Sequence, residues 1–177
     1  MRRPPPRETP MLIGVPREIK IQEHRVGLVP ENVRELVAQD HQVLVECTAG
    51  ACIGVADDEY RAAGASIAAD TDALWERVEL VVKVKEPQPR ERKRLRAGQA
   101  LFTYLHLGAD RAQAMDPIAS GATRIAYETV TAAGDALPLL VPMSEVAGRM
   151  AVQVGAHYLE KLHGGRGVLL GGGTVGS

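Results

Sequence analysis

An α/β fold with a mainly parallel sheet and flanking helices is the architecture the sequence predicts, and three observations carry it. Short apolar runs alternate with helical stretches from residue 11 onward, the order that βαβ units require. The runs are Val/Leu/Ile-rich throughout rather than alternating with polar residues, as strands covered on both faces must be. Of the 177 residues, 45% are hydrophobic but only 3% aromatic, so the core must be packed with aliphatic side chains.

Strands are expected at residues 11–15, 42–46, 80–84, 100–103 and 123–126. Each is short and bounded by Gly, Pro or charged residues. A helix is expected at 30–39, with Pro30 in its first turn and Val33, Leu36 and Val37 on one face. Helices at 57–63 and 70–77 both open on acids, which suit the positive end of the helix dipole. Another is expected at 110–120, weakened near its end by Pro117. Residues 144–163 form the longest helical stretch, free of proline, with Ser144 as its N-cap and Glu145 next. Val146, Ala147, Met150, Ala151 and Val154 give it small apolar side chains on one side. It reads either as an ordinary core helix or as a linking helix that packs against a neighbouring subunit. Residues 168–170 form a very short strand candidate. Residues 1–10, basic and proline-rich, are expected to be a disordered extension, with Met11 as an alternative start.

The formal net charge of -1 gives no reason to expect a nucleic acid or membrane surface as partner. No apolar run is long enough to span a bilayer. Cys47 and Cys52 lack the spacing of a redox pair, and no second pair completes a zinc site. No metal is expected, and a cytoplasmic location is the default.

Three segments carry candidate chemistry, each closely following an apolar run. Arg17, Glu18, Lys20, Glu23, His24 and Arg25 crowd the first. Alone this reads as a solvated loop, although an Arg there can grip a carboxylate bidentately. The second runs into Lys83 and Lys85, which alternation would put on one face. Lys83 is expected to be a strand-tip lysine emerging into water. For Lys85, that reading stands level with one in which it polarises a carbonyl or binds a carboxylate. The third holds His106 in an apolar context, where a satisfied core histidine is the usual outcome. Ligands bind at the C-terminal edge of parallel strands. Arg25, Lys85 and His106 at one such edge would make a site for an anion and for proton transfer.

The segments IGVPREIK, EHRVGLVP, LVVKVKEPQ, LFTYLHLGADR, IAYETV, LPLLVPMSEVAGRMAVQVGAHYLEK and GGRGVLLGG together resemble the bacterial L-alanine dehydrogenase family from Met11 to about Gly172. The related proton-translocating transhydrogenases are less similar in the KVKEP and LFTYLHL stretches. The resemblance implies a Rossmann-type two-domain enzyme that oxidises L-alanine reversibly with NAD to pyruvate, ammonium and NADH. It implies that Arg25 binds the substrate carboxylate and that Lys85 contacts the carboxylate or carbonyl. It implies that His106 transfers the proton and that Ser144 lies near the cofactor at the domain hinge. Homo-oligomers, typically hexamers, are implied too, with the long helix at subunit contacts. The matching organisation is a substrate domain over residues 11–142, a long interdomain or oligomerisation helix over 143–164, and the start of an NAD-binding domain over 165–177.

Gly171, Gly173 and Gly176 fit the phosphate-binding pattern G-x-G-x-x-G. In such a chain the pattern has meaning only between a strand and a helix. No helix follows here, nor the acidic residue expected about 20 residues on. The family inserts a proline-containing connector and a strand before its glycine turn, and then most of the cofactor domain. The 177 residues are therefore expected to be a fragment, inactive alone and with negligible affinity for NAD. Two alternatives are the nucleotide-binding subunit of a transhydrogenase and a non-catalytic oligomerising remnant.

Overall fold

The computed structural model describes residues 9–106 and 120–171. They fall into two compact units divided between Tyr127 and Glu128. In the first unit the elements run β1 (Leu12–Val15), α1 (Pro30–Ala38), β2 (Gln42–Glu46), α2 (Asp57–Ala62), β3 (Ser66–Ala68), α3 (Thr71–Arg77), β4 (Leu80–Val82), α4 (Pro89–Arg92), β5 (Ala100–Thr103) and β6 (Thr123–Ala126). The six strands form one sheet in the order β3-β2-β1-β4-β5-β6, and every pairing is parallel. The α/β fold with a parallel sheet is as expected.

Both faces of the sheet are covered, which explains the unbroken apolar runs. Val43 and Val45 of β2 enter one core cluster with Val15, Val33, Tyr60 and Ala63. Leu44, between them, enters the other with Leu74, Trp75, Val81 and Leu101. Successive side chains of a strand point to opposite faces, so one strand feeds two cores. The tryptophan and one tyrosine are among the largest fully buried side chains, so a low aromatic content still supplies one anchor on each side.

Two expectations about this unit need correction. The strand expected at 80–84 ends at Val82, so Lys83 lies beyond regular alternation. Lys83 does not emerge into water: it is fully buried, held by two carboxylates described below. A buried lysine that keeps its charge needs partners close by. The sequence pattern also leaves out β3 and α4, both short.

The second unit holds α5 (Val141–Leu159). Ser144 is not its N-cap. The helix begins three residues earlier, after Leu140, with proline in its first turn, where the missing N–H costs nothing. The Ser144 amide already donates to Leu140 O at 3.1 Å. At the other end Glu160 turns to an extended conformation, ψ 140°, and Lys161–His163 close as a 3₁₀ turn. Residues 168–170 form no strand. They are exposed, and a strand needs a neighbour to pair with. The helix expected at 110–120 lies outside the described residues except for Ser120, which is helical. No described helix is long and apolar enough to cross a membrane.

Candidate active site

The strand order reverses between β1 and β4: from β1 the chain winds outward to β3, then returns to β4 and winds the other way. In open α/β sheets, ligands bind in the crevice outside the carboxyl ends of the strands at such a switch point. The segment after β1 carries Arg25, that after β4 carries Lys85, and that after β5 carries His106. All three leave the same edge, from β1, β4 and β5, which are adjacent in the sheet.

Gly27 lets the first segment lie directly on the second. A Cβ there would stand 2.4 Å from Val82 O and 3.2 Å from Lys83 N, far inside contact distance, so only glycine admits this approach. Val26 beside it is buried in the core, and Tyr60 donates its hydroxyl to Leu28 O at 2.9 Å. Lys20 pairs with Glu86 of the β4 segment. The loop carrying Arg25 is thus pinned along its length.

Glu23 fixes Arg25. Its Oε1 accepts the Arg25 amide at 2.9 Å and Nε at 2.8 Å, and its Oε2 accepts Nη2 at 2.6 Å. This fork-on-carboxylate geometry sets the guanidinium plane. The hydrogen bond from Arg25 pulls the Glu23 carboxyl down to about 2, with the Lys85 charge adding to the effect. Glu23 in turn raises the pKa of Arg25, with smaller contributions from Tyr104 and Glu18. Lys85 and Arg25 therefore act on one carboxylate.

The β4 and β5 segments stay paired beyond their strands. The Tyr104 amide donates to Val84 O at 3.2 Å, and Thr103 Oγ1 donates to Lys85 O at 2.9 Å. Tyr104 stacks on His106 with ring centroids 5.8 Å apart and an interplanar angle of 13°. It also meets Tyr127 edge-on, at 5.0 Å. Burial raises the Tyr127 hydroxyl pKa above its ordinary value. His106 is exposed and adopts φ 49°, a left-handed conformation that non-glycine residues rarely hold. The chain Lys85, Glu23, Arg25, Tyr104, His106 thus brings the three predicted residues into one neighbourhood. Sequence reasoning gives no role to Glu23, Tyr104 or Gly27. The charged pair two residues apart is the available signal for Glu23.

The other predicted positions lie in the second unit. Ser144 is an exposed residue of α5. Gly171 stands in a turn at φ 73°, with no strand before it, while Gly173 and Gly176 lie outside the described residues. The described residues here do not form the strand, glycine turn and helix that hold a dinucleotide pyrophosphate. In the same unit His157, Glu160 and His163 bring one potential ligand atom each within 4.8 Å of the others. His163 Nδ1 stands 3.3 Å from Glu160 Oε2, three residues before it, as a surface pair. All three side chains are exposed, so no metal role is assigned to them.

Residues 14–147 match the family model "Alanine dehydrogenase/PNT, N-terminal domain". The chain is 56% identical over 162 residues to an alanine dehydrogenase of Halomonas elongata, covering 92% of this chain and 44% of the relative. It is 53% identical to that of Bacillus subtilis, covering 92% of this chain and 42% of the relative. A solved L-alanine dehydrogenase superposes with a TM-score of 0.80 at 53% identity, covering 92% of this chain and 45% of that one. A transhydrogenase structure from Sinorhizobium meliloti is more distant, with a TM-score of 0.64 at 24% identity over 70% of this chain and 36% of that one, a likeness of fold alone. The chain spans less than half the length of these relatives. With three-quarters of its residues in that family model and half its residues identical to those of the relatives, the chain belongs to the alanine dehydrogenase/PNT family, through its N-terminal domain.

Proposed function

We propose that this chain supplies the substrate side of an NAD-dependent L-alanine dehydrogenase, which converts L-alanine, water and NAD reversibly to pyruvate, ammonium, NADH and a proton. The observation that carries the reading is the gathering of Arg25, Lys85 and His106 around the β1/β4 switch point. Arg25 binds the substrate carboxylate, its plane preset by Glu23. Lys85 contacts the carboxylate or the carbonyl oxygen, where its charge offsets the negative charge that develops as the carbonyl is attacked. His106 takes the proton from water as it adds to the imine and returns one to the departing amine, general base and then general acid. Hydride transfer to NAD is assigned to none of the described residues; Ser144, Gly171, Gly173 and Gly176 are the positions we propose for contact with it.

The proposed division is a substrate domain over residues 11–142, a linking and oligomerisation helix over 143–164, and nucleotide-domain sequence over 165–177. We also infer a cytoplasmic homo-oligomer. Two free thiols, Cys47 half-buried and Cys52 exposed, suit a reducing compartment.

Titration calorimetry of pyruvate into the purified chain tests the reading. Saturable binding is expected, lost in Lys85→Ala and Arg25→Ala. Equal heats from pyruvate and from an uncharged analogue such as acetone would refute it.

A further inference from the structure

Glu18, Lys83 and Glu91 form a buried trio at the crevice edge. Their side chains are 1–2% exposed, and Lys83 Nζ stands 3.1 Å from Glu18 Oε2 and 2.7 Å from Glu91 Oε1. Glu91 also faces this lysine, although burial raises its carboxyl pKa. It is the nearer partner, and its second oxygen is satisfied by the Gln88 amide at 2.7 Å. Glu18 is a second buried carboxyl group on the same lysine, and burying it is costly unless its lone pairs are used. Its Oε1 accepts the Val84 amide at 2.7 Å, with the Lys85 amide at 3.4 Å. Those amides belong to the segment that carries Lys85, and Glu18 itself belongs to the loop that carries Arg25. In sequence the two lie 66 and 67 residues from Glu18, so this contact ties together distant parts of the chain at the switch point.

We propose that Glu18 is a positioning residue: its carboxylate clasps the backbone at Val84 and Lys85, anchored against buried Lys83, and so holds Lys85 in register with Arg25 for one substrate carboxylate. The proposal rests on the functional reading above. Glu18 touches no substrate and acts through the placement of Lys85. Its charge also bears on Arg25, so the same group supports both cations of the crevice.

The test combines amide hydrogen exchange with pyruvate titration on the full 177-residue chain. In Glu18→Ala the Val84 amide should exchange at least about tenfold faster, and pyruvate should bind roughly tenfold more weakly, the scale of one lost hydrogen bond to a charged group. Glu18→Asp keeps the charge for Lys83 but withdraws the carboxylate by one methylene. It should move both readouts in the same direction, and it serves where the alanine variant does not fold. Glu91→Gln removes a Lys83 partner without touching the Val84 amide. It should lower stability while the folded protein keeps its Val84 exchange and its pyruvate affinity. Unchanged Val84 exchange in the Glu18 variants would overturn the clasp. Faster exchange with unaltered pyruvate affinity would overturn its role in positioning. Absence of pyruvate binding by the unsubstituted chain would overturn the functional reading instead, and the exchange comparison would still report on the clasp.

Discussion

Arg25 and Glu23 show how two residues near in sequence can prepare a site for a third party. The guanidinium is held along its Nε and Nη2 edge, so it approaches an incoming carboxylate with its plane already set. Arg25→Lys would keep the charge and lose the fork. Pyruvate affinity should fall on the order of tenfold, the cost of a lost charge-assisted hydrogen bond; calorimetry showing full affinity would mean that charge alone suffices. The pair also has a pH signature. The Glu23 carboxyl is lowered from its ordinary 4.5 to about 2, so the folded state holds its negative charge in acid where the unfolded chain takes up a proton. The contribution to stability is complete above about pH 4.5 and is lost as pH falls toward about 2. Urea unfolding of the unsubstituted chain and of Glu23→Gln should therefore differ at neutral pH and converge in strong acid. A constant difference across that range would show that the charge of Glu23 contributes nothing.

At the scale of elements, much was legible because the signals were local. β2, β5 and β6 have the bounds that their apolar runs announce, and Arg25, Lys85 and His106 could be placed after strands for the same reason. What depended on distant contacts was not legible. β3 is three residues, Ser-Ile-Ala, a strand only because it pairs with β2. Lys83 looked like a solvated tip because its partners Glu18 and Glu91 arrive from elsewhere in the chain. Ser144 had the chemistry of an N-cap, but a proline upstream could already open the helix. Gly27 belongs to this scale too, since it sets the distance between two segments. Gly27→Ala would push a methyl into the Val82 carbonyl. The expected cost is about 2 kcal/mol, by analogy with overpacking, and the melting temperature should drop by roughly 4–8 °C. Pyruvate binding should weaken as the Arg25 loop lifts off β4. An unchanged melting curve would mean that the loop can yield without loss.

The molecule as a whole must account for α5, whose 19 residues include none that is buried. Its polar residues Glu145, Arg149, Gln153 and His157 recur every fourth position, which stacks them on a single ridge of the helix. Most of the remaining surface is apolar or small: Val141, Met143, Val146, Met150, Val152, Val154 and Tyr158 are all exposed, with Ala147, Gly148, Ala151, Gly155 and Ala156 between them. A helix apolar around most of its girth belongs in an interior, and such a contiguous exposed surface marks an interface. The small residues also let another helix approach closely. A second copy of the chain presents the same complementary surface, and two-fold pairing satisfies both copies at once. The chain should therefore self-associate in a concentration-dependent manner. Sedimentation velocity across a hundredfold range of concentration should show the sedimentation coefficient rising. Val146→Glu together with Val154→Glu, which place charges on the apolar side, should return it to that of a monomer while leaving the pyruvate titration unaltered. A chain that sediments as a monomer throughout that range would require a different partner for α5.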